Sequence, residues 1–600
     1  MCGIAGYIGG GSAGEIVHQG LKNLEYRGYD SAGIALTAES LAVQKTEGEV
    51  DELPVPSQTD VGCGIGHTRW STHGEPTETN AHPHTDCTGE VAVVHNGIIE
   101  NYDELKAELR ERHLFESETD TEVIPHLIED HLADGVSLLT AVQRTTEQLD
   151  GSYAIAVTAT GHEGVVVARQ DSPLLVGHAD NATFIGSDAT AFIEHTNRVT
   201  YLQSGDIARL TADEIEIYND GERVERDTET LDWDADAAGK SGYNHYMLKE
   251  IHEQPRALRQ AISGRIDELA TGVQLDVELA DEFLRSITEI KIIACGTSYH
   301  AGLYAKELLE TYTDVRVSVD IASEYRRTDG QNPDETLALA ITQSGETADT
   351  LSALREATRA GVRTLALTNT LGSTVTREAD DTVFIRAGPE IGVAATKTFV
   401  SQVATATLFT VYLGQLRGVL STAETSALLE AARDLPGAVQ QILDQEPKIK
   451  QTATEYADSG AFFYIGRHAG YPVALESALK LKEISYDHAE GFPAGELKHG
   501  PLALVTPDTP VIALLTEATN PDKTINNVKE VNSRGAPVIG VSSDPAHVSE
   551  VETTFDVPGC GPLEPVVANV ALQLFAYHVA DEKDRPIDKP RNLAKSVTVE

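Results

Sequence analysis

The hydrophobic pattern changes character along the chain. Up to about residue 215, short β-type apolar runs such as 91–94 and 153–157 are separated by Gly, Asn and Asp. These runs predict the strands of a sheet-rich domain. One amphipathic helix is predicted at 102–109, where Asn101 is a candidate N-cap and acidic residues occupy the first turn.

From about residue 280 the pattern becomes a buried strand, a polar turn and then a helix. The apolar runs 290–294 and 337–341 each precede such a turn and helix, which predicts doubly wound parallel α/β sheets. A second copy starts near residue 462, roughly 170 residues later, and indicates an internal repeat.

The stretch from 213 to 242 is acidic and loses its periodicity, so we place the main domain boundary there. The predicted organisation is a first domain, a linker, two α/β subdomains and a C-terminal tail, at residues 2–215, 216–245, 246–440, 441–590 and 591–600.

Composition narrows the possible partners. The chain has 94 Asp and Glu against 46 Lys and Arg, giving a formal net charge of -48, while 41% of its 600 residues are hydrophobic. The apolar share is too high for a disordered chain. The negative charge disfavours binding to nucleic acid or to anionic membranes. An excess this large also suggests a high-salt cytoplasm, where salt screens self-repulsion; an ordinary acidic protein is the alternative.

The five cysteines are scattered and form no C-x-x-C pair. They predict neither a disulfide framework nor zinc-finger spacing. The N-terminal residues lack a signal-type pattern, and we find no uninterrupted run of about 18 apolar residues. We therefore expect a cytoplasmic protein.

Cys2 is a candidate nucleophile because of four polar segments that follow it in the chain. Removal of Met1 would make Cys2 the first residue and place the Cys2 thiol beside a free α-amine, whose pKa of about 7.7–8.0 suits a general base. A second-position cysteine taken alone is more simply incidental. The segments that change this reading are 69–74, 80–84, 95–101 and 117–122. They supply guanidinium, carboxylate and amide groups, which an amide hydrolase needs to hold its substrate and an oxyanion.

In this order, the segments resemble the N-terminal-nucleophile (class II) glutamine amidotransferases. The resemblance implies a four-layer αββα domain in which Cys2 attacks the glutamine carboxamide. It implies an oxyanion hole formed by Asn96 and Gly97, and a glutamine site formed by Arg69, Trp70, Thr72, His73 and Asp120. The run 82–87 offers metal-ligand types, but we favour a structural loop beside this site and expect no metal.

Two polar turns in the C-terminal half suit a phosphate. The turns 295–298 and 342–347 follow apolar strands and open helices, whose N-termini favour anions. A simple capping turn is the alternative. The predicted helix 474–484 carries Lys480 and Glu483 on one side.

These features resemble the sugar isomerase (SIS) domain pair. The resemblance implies a sugar-phosphate site formed by Thr297, Ser298, Thr342, Gln343, Ser344, Thr347, Val393, Lys480 and Ala594. It further implies that Glu483 transfers a proton, that His499 of a neighbouring subunit assists ring opening, and that Lys595 forms an imine. Thr342 and Ala395 each stand where the family usually has serine; Thr342 keeps the hydroxyl and Ala395 loses it.

Together the resemblances imply a homodimeric enzyme without cofactors that makes glucosamine 6-phosphate from L-glutamine and fructose 6-phosphate. A related alternative delivers ammonia to another phosphosugar or to a phosphoribosyl donor. A third possibility is a regulatory protein that only senses a sugar phosphate. Such a sensor needs the phosphate turns but neither Glu483 nor Lys595.

Overall fold

A computed structural model of the chain describes residues 2–55, 61–70, 74–231, 240, 242–267, 271–326, 332–549 and 551–598. The chain forms two compact units. The first contains residues 1–239 together with 594–600, and the second contains residues 240–593.

The first unit contains two antiparallel sheets. The eight-stranded sheet has the spatial order β15 (Glu229–Thr230), β11 (Arg198–Tyr201), β9 (Leu175–Ala179), β10 (Ala182–Gly186), β1 (Gly3–Gly9), β4 (Cys63–Arg69), β2 (Ser31–Thr37) and β3 (Leu41–Glu47). The seven-stranded sheet has the order β14 (Glu222–Val224), β13 (Ile215–Asn219), β12 (Ile207–Leu210), β8 (Val165–Gln170), β7 (Gly151–Ala159), β6 (Val91–Ile99) and β5 (His84–Thr85).

Helices cover the outer faces of both sheets. Helix α1 (Ala13–Leu24) packs on the first sheet, while α2 (Tyr102–Leu109), α3 (Val123–Ala133) and α4 (Leu138–Thr146) pack on the second. A separate apolar core between the sheets takes side chains from both, such as Ile4 and Val94. The predicted αββα layering is therefore present, because each sheet buries one face against the other and one against helices.

Two local expectations differ from the structure. Helix α2 follows Asn101 as predicted, but the Asn101 side chain makes no capping bond; it instead bonds the backbone of Gln148 and Asp150. Strands β13 to β15 occupy residues assigned to the linker. These strands carry many acidic side chains, so their apolar alternation is weak in the sequence.

The second unit contains two five-stranded parallel sheets. The first has the order β17 (Arg316–Ile321), β16 (Glu289–Ala294), β18 (Thr336–Ile341), β19 (Arg363–Thr368) and β20 (Asp381–Phe384). The second has the order β22 (His488–Pro493), β21 (Ala461–Gly466), β23 (Val511–Leu514), β24 (Val538–Ser542) and β25 (Thr553–Asp556).

Both sheets have the strand order 2-1-3-4-5, which confirms the predicted repeat. In such a sheet the order in which strands are added reverses between the first and third strands, and ligands bind beyond the carboxyl ends there. In the first sheet these strands are β16 and β18, which pair directly. The polar turns 295–298 and 342–347 follow them, so the fold brings the two turns to one edge.

The helices of this unit surround and connect the sheets. They are α5 (Tyr246–Ile262), α6 (Asp281–Ser286), α7 (Gly296–Tyr312), α8 (Ala348–Arg359), α9 (Thr374–Glu378), α10 (Lys397–Arg417), α11 (Thr422–Leu443), α12 (Glu446–Tyr456), α13 (Gly470–Ser485), α14 (Pro521–Asn532) and α15 (Glu564–Glu582). Two segments, Lys397–Arg417 and Gly561–Glu582, are long and apolar enough to cross a membrane. Because they are 83% and 100% buried, they pack as core helices of this unit.

Candidate active sites

The Cys2 thiol lies against the backbone that follows strand β4. The Trp70 N–H donates to Cys2 Sγ at 3.3 Å, and Sγ lies 3.5 Å from the Trp70 carbonyl oxygen. The Arg27 guanidinium, which also pairs with Asp188, donates to the Cys2 carbonyl oxygen at 3.4 Å. An N–H aimed at sulfur stabilises a thiolate, the nucleophilic form of cysteine.

The predicted oxyanion donor Asn96 is oriented by a buried histidine. Asn96 Nδ2 donates to the Cys2 carbonyl oxygen at 3.1 Å, while its Oδ1 lies 3.0 Å from His67 Nε2. His67 Nε2 must therefore carry the proton, since Oδ1 can only accept. His67 thus fixes which end of the amide faces Cys2.

Gly97 and Asp120 are positioned by the end of the second sheet. Gly97 has φ +133, and a Cβ there would overlap the Ser152 carbonyl oxygen, so only glycine fits. The Asp120 carboxylate accepts the Ile99 N–H at 2.8 Å. Asp120 is therefore held beside the strand that carries Asn96 and Gly97.

The Arg69 guanidinium is mostly buried and donates to the carbonyl oxygens of Gly74 and Glu75, each at 3.2 Å. Burial lowers the pKa of Arg69, and the charges of Cys2, Asp30 and Asp120 oppose that shift. Those charges therefore lie near the guanidinium, as a site for an amino acid requires. The predicted residues Thr72 and His73 lie outside the described residues.

The run 82–87 does not form one ligand cluster. His82 stacks on His67 with ring centroids 4.2 Å apart and meets the edge of His84 at 4.8 Å. His82 Nδ1 accepts the His95 N–H at 3.3 Å, and His84 Nε2 lies 3.0 Å from the Thr119 hydroxyl. His67, His82 and His84 thus form a buried histidine stack, in which His84 lies edge-on to His82.

This stack predicts loss of stability in acid. Burial, followed by the charges of His95 and Arg69, lowers the pKa of His67 to about 3, and burial lowers the pKa of His82 and His84 well below 6.5. As the pH falls below about 6.5, the unfolded chain takes up protons that the folded chain excludes. Each histidine then lowers the free energy of unfolding by up to about 1.4 kcal/mol per pH unit.

Urea unfolding of the full chain in molar KCl between about pH 5 and 6.5 measures this slope. We expect His84→Gln to reduce the slope of the free energy of unfolding against pH by nearly the contribution of one proton. The control His488→Gln, at an exposed position, should leave the slope unchanged. An unchanged slope in His84→Gln would show that His84 is already protonated in the folded state.

His67 is a positioning residue, and its replacement should act through Asn96. If Asn96 is the oxyanion donor that the resemblance to glutamine amidotransferases implies, Asn96→Ala should lower the kcat of glutamine hydrolysis by about 10²–10³-fold. His67→Leu should lower it less, with little change in the KM for glutamine. Because both changes remove one interaction, the double variant should be no slower than Asn96→Ala. Fully additive losses, against a His178→Leu control, would argue against this coupling.

In the second unit, both predicted phosphate turns open helices. Thr297 and Ser298 lie in the first turn of α7, and Thr347 stands just before α8. Thr347 makes no capping hydrogen bond with its side chain. The simple capping alternative therefore does not account for its hydroxyl.

The turn after β18 is shaped by its own hydroxyls. Thr342 Oγ1 accepts the Gly345 N–H at 3.2 Å, and Ser344 Oγ accepts the Glu346 N–H at 3.1 Å. Gly345 has φ +69, and a Cβ there would overlap the Ser373 hydroxyl. The hydroxyl that Thr342 retains thus holds the turn. Gln343 lies between Thr342 and Ser344 in this turn. The backbone carbonyl oxygen of Gln343 lies near the hydroxyls of Thr368 and Thr370.

Lys480 and Glu483 form a charged cluster with a residue that the sequence did not single out. Lys480 Nζ lies 2.6 Å from Glu483 Oε2 and 3.5 Å from Glu476 Oε1. Thr297 Oγ1 accepts from Lys480 at 3.1 Å and donates to Glu476 at 3.0 Å. The cluster thus joins helix α13 to the first turn of α7.

Lys480 and Glu483 differ in charge state and in exposure, and therefore in the chemistry open to them. Burial alone would lower the pKa of Lys480, but the carboxylates of Glu476 and Glu483 outweigh it, and the pKa is raised. Lys480 therefore stays an ammonium ion and is no imine-forming nucleophile. The Glu483 side chain is 19% exposed, while those of Lys480 and Glu476 are 1% and 0% exposed. Glu483 is thus the carboxylate that a substrate can reach.

The remaining predicted residues are less closely grouped. Ser298 Oγ accepts from Gln402 at 2.9 Å, and the Val393 N–H donates to the Asp588 carbonyl oxygen at 3.3 Å. His499 is exposed at the end of a 3-10 turn. Ala594 and Lys595 are half-buried in the tail that groups with the first unit.

Sequence reasoning missed Arg27, His67, Glu476 and Gln402. Arg27, His67 and Gln402 act through partners far away in the chain, such as His67 through Asn96, and no local pattern marks them. Glu476 alone gave a signal, since it stands one helical turn before Lys480 on a predicted helix.

Comparison with known proteins identifies the family of both units. The glutamine amidotransferase domain model matches residues 67–194, and the SIS domain model matches residues 283–412 and 455–580. The glutamine–fructose-6-phosphate aminotransferase [isomerizing] of Halobacterium salinarum is 72% identical over the full length of both chains. The chain belongs to this family. A family member from Methanosarcina mazei is 46% identical, again over all of both chains.

A solved structure supports the second unit's fold. The C-terminal domain of glucosamine-fructose-6-phosphate aminotransferase from Francisella tularensis is 39% identical, with a TM-score of 0.56. The match covers 59% of this chain and 99% of that one. Family membership confirms the predicted fold class and the prediction of an amidotransferase enzyme. The high-salt interpretation of the charge agrees with the Halobacterium relative.

Proposed function

We propose that this protein transfers the amide nitrogen of L-glutamine to D-fructose 6-phosphate, giving L-glutamate and D-glucosamine 6-phosphate. This is the first step of hexosamine synthesis. The observation that carries the proposal is that one chain, alike over its full length to this family, holds Cys2 beside the Trp70 N–H and Asn96 Nδ2. The same chain holds Glu483 against Lys480, which bonds Thr297 of the first turn.

In the first half-reaction, the α-amine exposed by removal of Met1 takes the Cys2 thiol proton, and sulfur attacks the glutamine carboxamide carbon. The Asn96 side chain and the Gly97 N–H stabilise the oxyanion. The proton passes to the departing ammonia, leaving a thioester that water hydrolyses to glutamate. Arg69 and Asp120 hold the α-carboxylate and α-amino groups, and Trp70 lines the exit for ammonia.

In the second half-reaction, the phosphate binds the turns 295–298 and 342–347, where two helix N-termini favour the dianion. The Lys595 amine attacks C2 of the open-chain ketose and forms an imine with loss of water. Ammonia then displaces Lys595 from C2. Glu483 removes a proton from C1 and returns it to C2, while the C1 hydroxyl proton passes to the nitrogen, which yields the amino aldose. This chemistry balances without a cofactor.

We further propose a cytoplasmic homodimer that binds neither nucleic acid nor membranes. The charge of -48 supports the exclusion of anionic partners. The exposed position of His499 suits a group that completes the sugar site of a second subunit. In a two-fold symmetric dimer each subunit can give His499 to the other.

A mixed dimer tests the shared site. His499→Ala and Glu483→Gln should each be inactive in synthesis when expressed alone. If His499 acts in the partner's site, random mixing of subunits should restore about a quarter of the wild-type sites. Recovery is measured as glucosamine 6-phosphate formed after co-expression. No recovery, in mixed dimers shown to form by differential tagging, would place His499 in its own subunit's site.

The acceptor is tested directly by incubation with glutamine and either fructose 6-phosphate or phosphoribosyl pyrophosphate in molar KCl. We expect amino sugar only from fructose 6-phosphate. Glutamate formed without amino sugar would show that the acceptor is different. A protein that binds fructose 6-phosphate but converts nothing, even with ammonium, would be a sensor.

A further inference from the structure

Four metal-ligand side chains meet in the first unit, outside both sites. They are Cys87 after β5, His113 after α2, and His126 and Glu129 on α3. Cys87 Sγ lies 3.5 Å from His113 Nδ1 and 3.7 Å from His126 Nδ1. Glu129 Oε2 lies 3.0 Å from His113 Nδ1 and 3.4 Å from His126 Nδ1.

These four distances, 3.0–3.7 Å, are close to the edges of a zinc tetrahedron, and all the ligand atoms lie within 4.8 Å of one another. Bonds of about 2.3 Å to sulfur and about 2.0–2.2 Å to nitrogen or oxygen give ligand-to-ligand edges of about 3.3–3.6 Å. We propose that Cys87, His113, His126 and Glu129 bind one structural Zn²⁺ ion. Four protein ligands close the coordination shell, which is typical of structural rather than catalytic zinc.

The local fold presents the ligand atoms inward. His126 and Glu129 are three residues apart on α3 and therefore share a face of the helix. The histidine side chains are 5% and 1% exposed, whereas Cys87 is exposed. Cys87 and His126 also line an open groove of about 720 Å³, through which an ion can enter.

The residues that hydrogen-bond to the proposed ligands are arranged as they are around a metal ion. His113 Nε2 lies 3.1 Å from Asp130 Oδ1, so Nε2 carries the proton and the Nδ1 lone pair faces Cys87 and Glu129. The other Asp130 oxygen pairs with Arg112 at 3.0 Å. Carboxylate, histidine and metal in series is the usual arrangement around zinc.

The charges of the four ligands also favour Zn²⁺. A Cys87 thiolate and the Glu129 carboxylate together neutralise Zn²⁺, while neutral histidines add no charge. Harder cations fit this set less well, since Mg²⁺ and Ca²⁺ prefer oxygen ligands alone. Without a cation, the carboxylate and the thiol compete for the same two histidine nitrogens.

The ion would connect two segments that flank the glutamine site. Cys87 lies between β5 and β6, and the chain from His113 to His126 includes Asp120. Zinc would therefore hold the loop that carries Asp120 against the sheet that carries Asn96. This role concerns stability and does not depend on which acceptor the enzyme uses.

Metal content and a cobalt spectrum test the site on the full-length protein. After removal of metal with a chelator and dialysis against ZnCl₂ or CoCl₂ in KCl, we expect about one ion per chain. The cobalt form should show the intense thiolate-to-cobalt band and the visible bands of tetrahedral geometry. Zinc should also raise the melting temperature, because it binds only the folded state.

Variants assign the band to this cluster. Cys87→Ser should abolish the thiolate band, and Asp130→Asn, which leaves all four ligands, should weaken zinc binding about 10–100-fold. Cys63→Ser and Cys2→Ala should keep both the band and the affinity. Absence of the thiolate band in the unmodified protein, or its loss in Cys2→Ala rather than in Cys87→Ser, would overturn the proposal.

Discussion

Replacing Cys2 with alanine is expected to abolish glutamine-dependent synthesis while leaving ammonium-dependent synthesis near the wild-type rate. In the proposed mechanism the Cys2 sulfur bonds to the carboxamide carbon, and the Trp70 N–H and Asn96 Nδ2 already lie beside Cys2. Loss of a covalent nucleophile lowers kcat by at least about 10⁴-fold. Glucosamine 6-phosphate is measured with glutamine and with ammonium as the alternative nitrogen source.

The matched control is Cys63→Ser, since Cys63 lies half-buried in the same unit but bonds only Thr158 and Gly164 among the described residues. This variant should keep both activities. If Cys2→Ala retained glutamine-dependent synthesis, the nucleophile would have to be another group. Equal loss of the ammonium-dependent rate would instead indicate that the substitution disturbs the whole protein.

Replacing Glu483 with glutamine is expected to stop the sugar half-reaction and spare the glutaminase. Glutamine keeps the shape of the side chain but cannot take a proton from C1. Lys480 retains Glu476 as a counter-ion at 3.5 Å, so the variant should fold. Loss of a positioned general base lowers the rate by about 10²–10⁴-fold.

Both rates should be measured on the same sample, as glutamate and glucosamine 6-phosphate. Glu455→Gln, an exposed change of the same kind on α12, is the control and should leave both rates unchanged. A Glu483→Gln enzyme that still makes amino sugar at the wild-type rate would exclude Glu483 as the proton carrier.

Much of the fold was predictable because apolar periodicity and turn chemistry are local. The runs 290–294 and 337–341 lie within the adjacent strands β16 and β18, so parallel-sheet topology alone brings the phosphate turns together. The acidic strands β13 to β15 were missed because surface strands with little buried area carry weak alternation. Asn101 looks like a cap in sequence, yet its side chain bonds a loop almost fifty residues away.

The two sites were predictable only in part, because the sequence shows local motifs but not long-range contacts. Cys2, Asn96 and Glu483 stand in motifs of distinctive chemistry, whereas His67 matters through one bond to Asn96, 29 positions later. The run 82–87 offered Cys87 as a metal ligand and we expected no metal there, because the histidines that meet Cys87 are 26 and 39 positions away. Spacing rules find ligands on one short segment, but not ligands that tertiary structure brings together.

The central claim is that one protein couples glutamine hydrolysis to amination of fructose 6-phosphate. Glutamine labelled with ¹⁵N in the amide, supplied with fructose 6-phosphate and no added ammonium in molar KCl, tests it most directly. The account predicts glutamate and glucosamine 6-phosphate in equal amounts, with ¹⁵N in the amino sugar. Glutamate accompanied by unlabelled amino sugar, or by none, would contradict it.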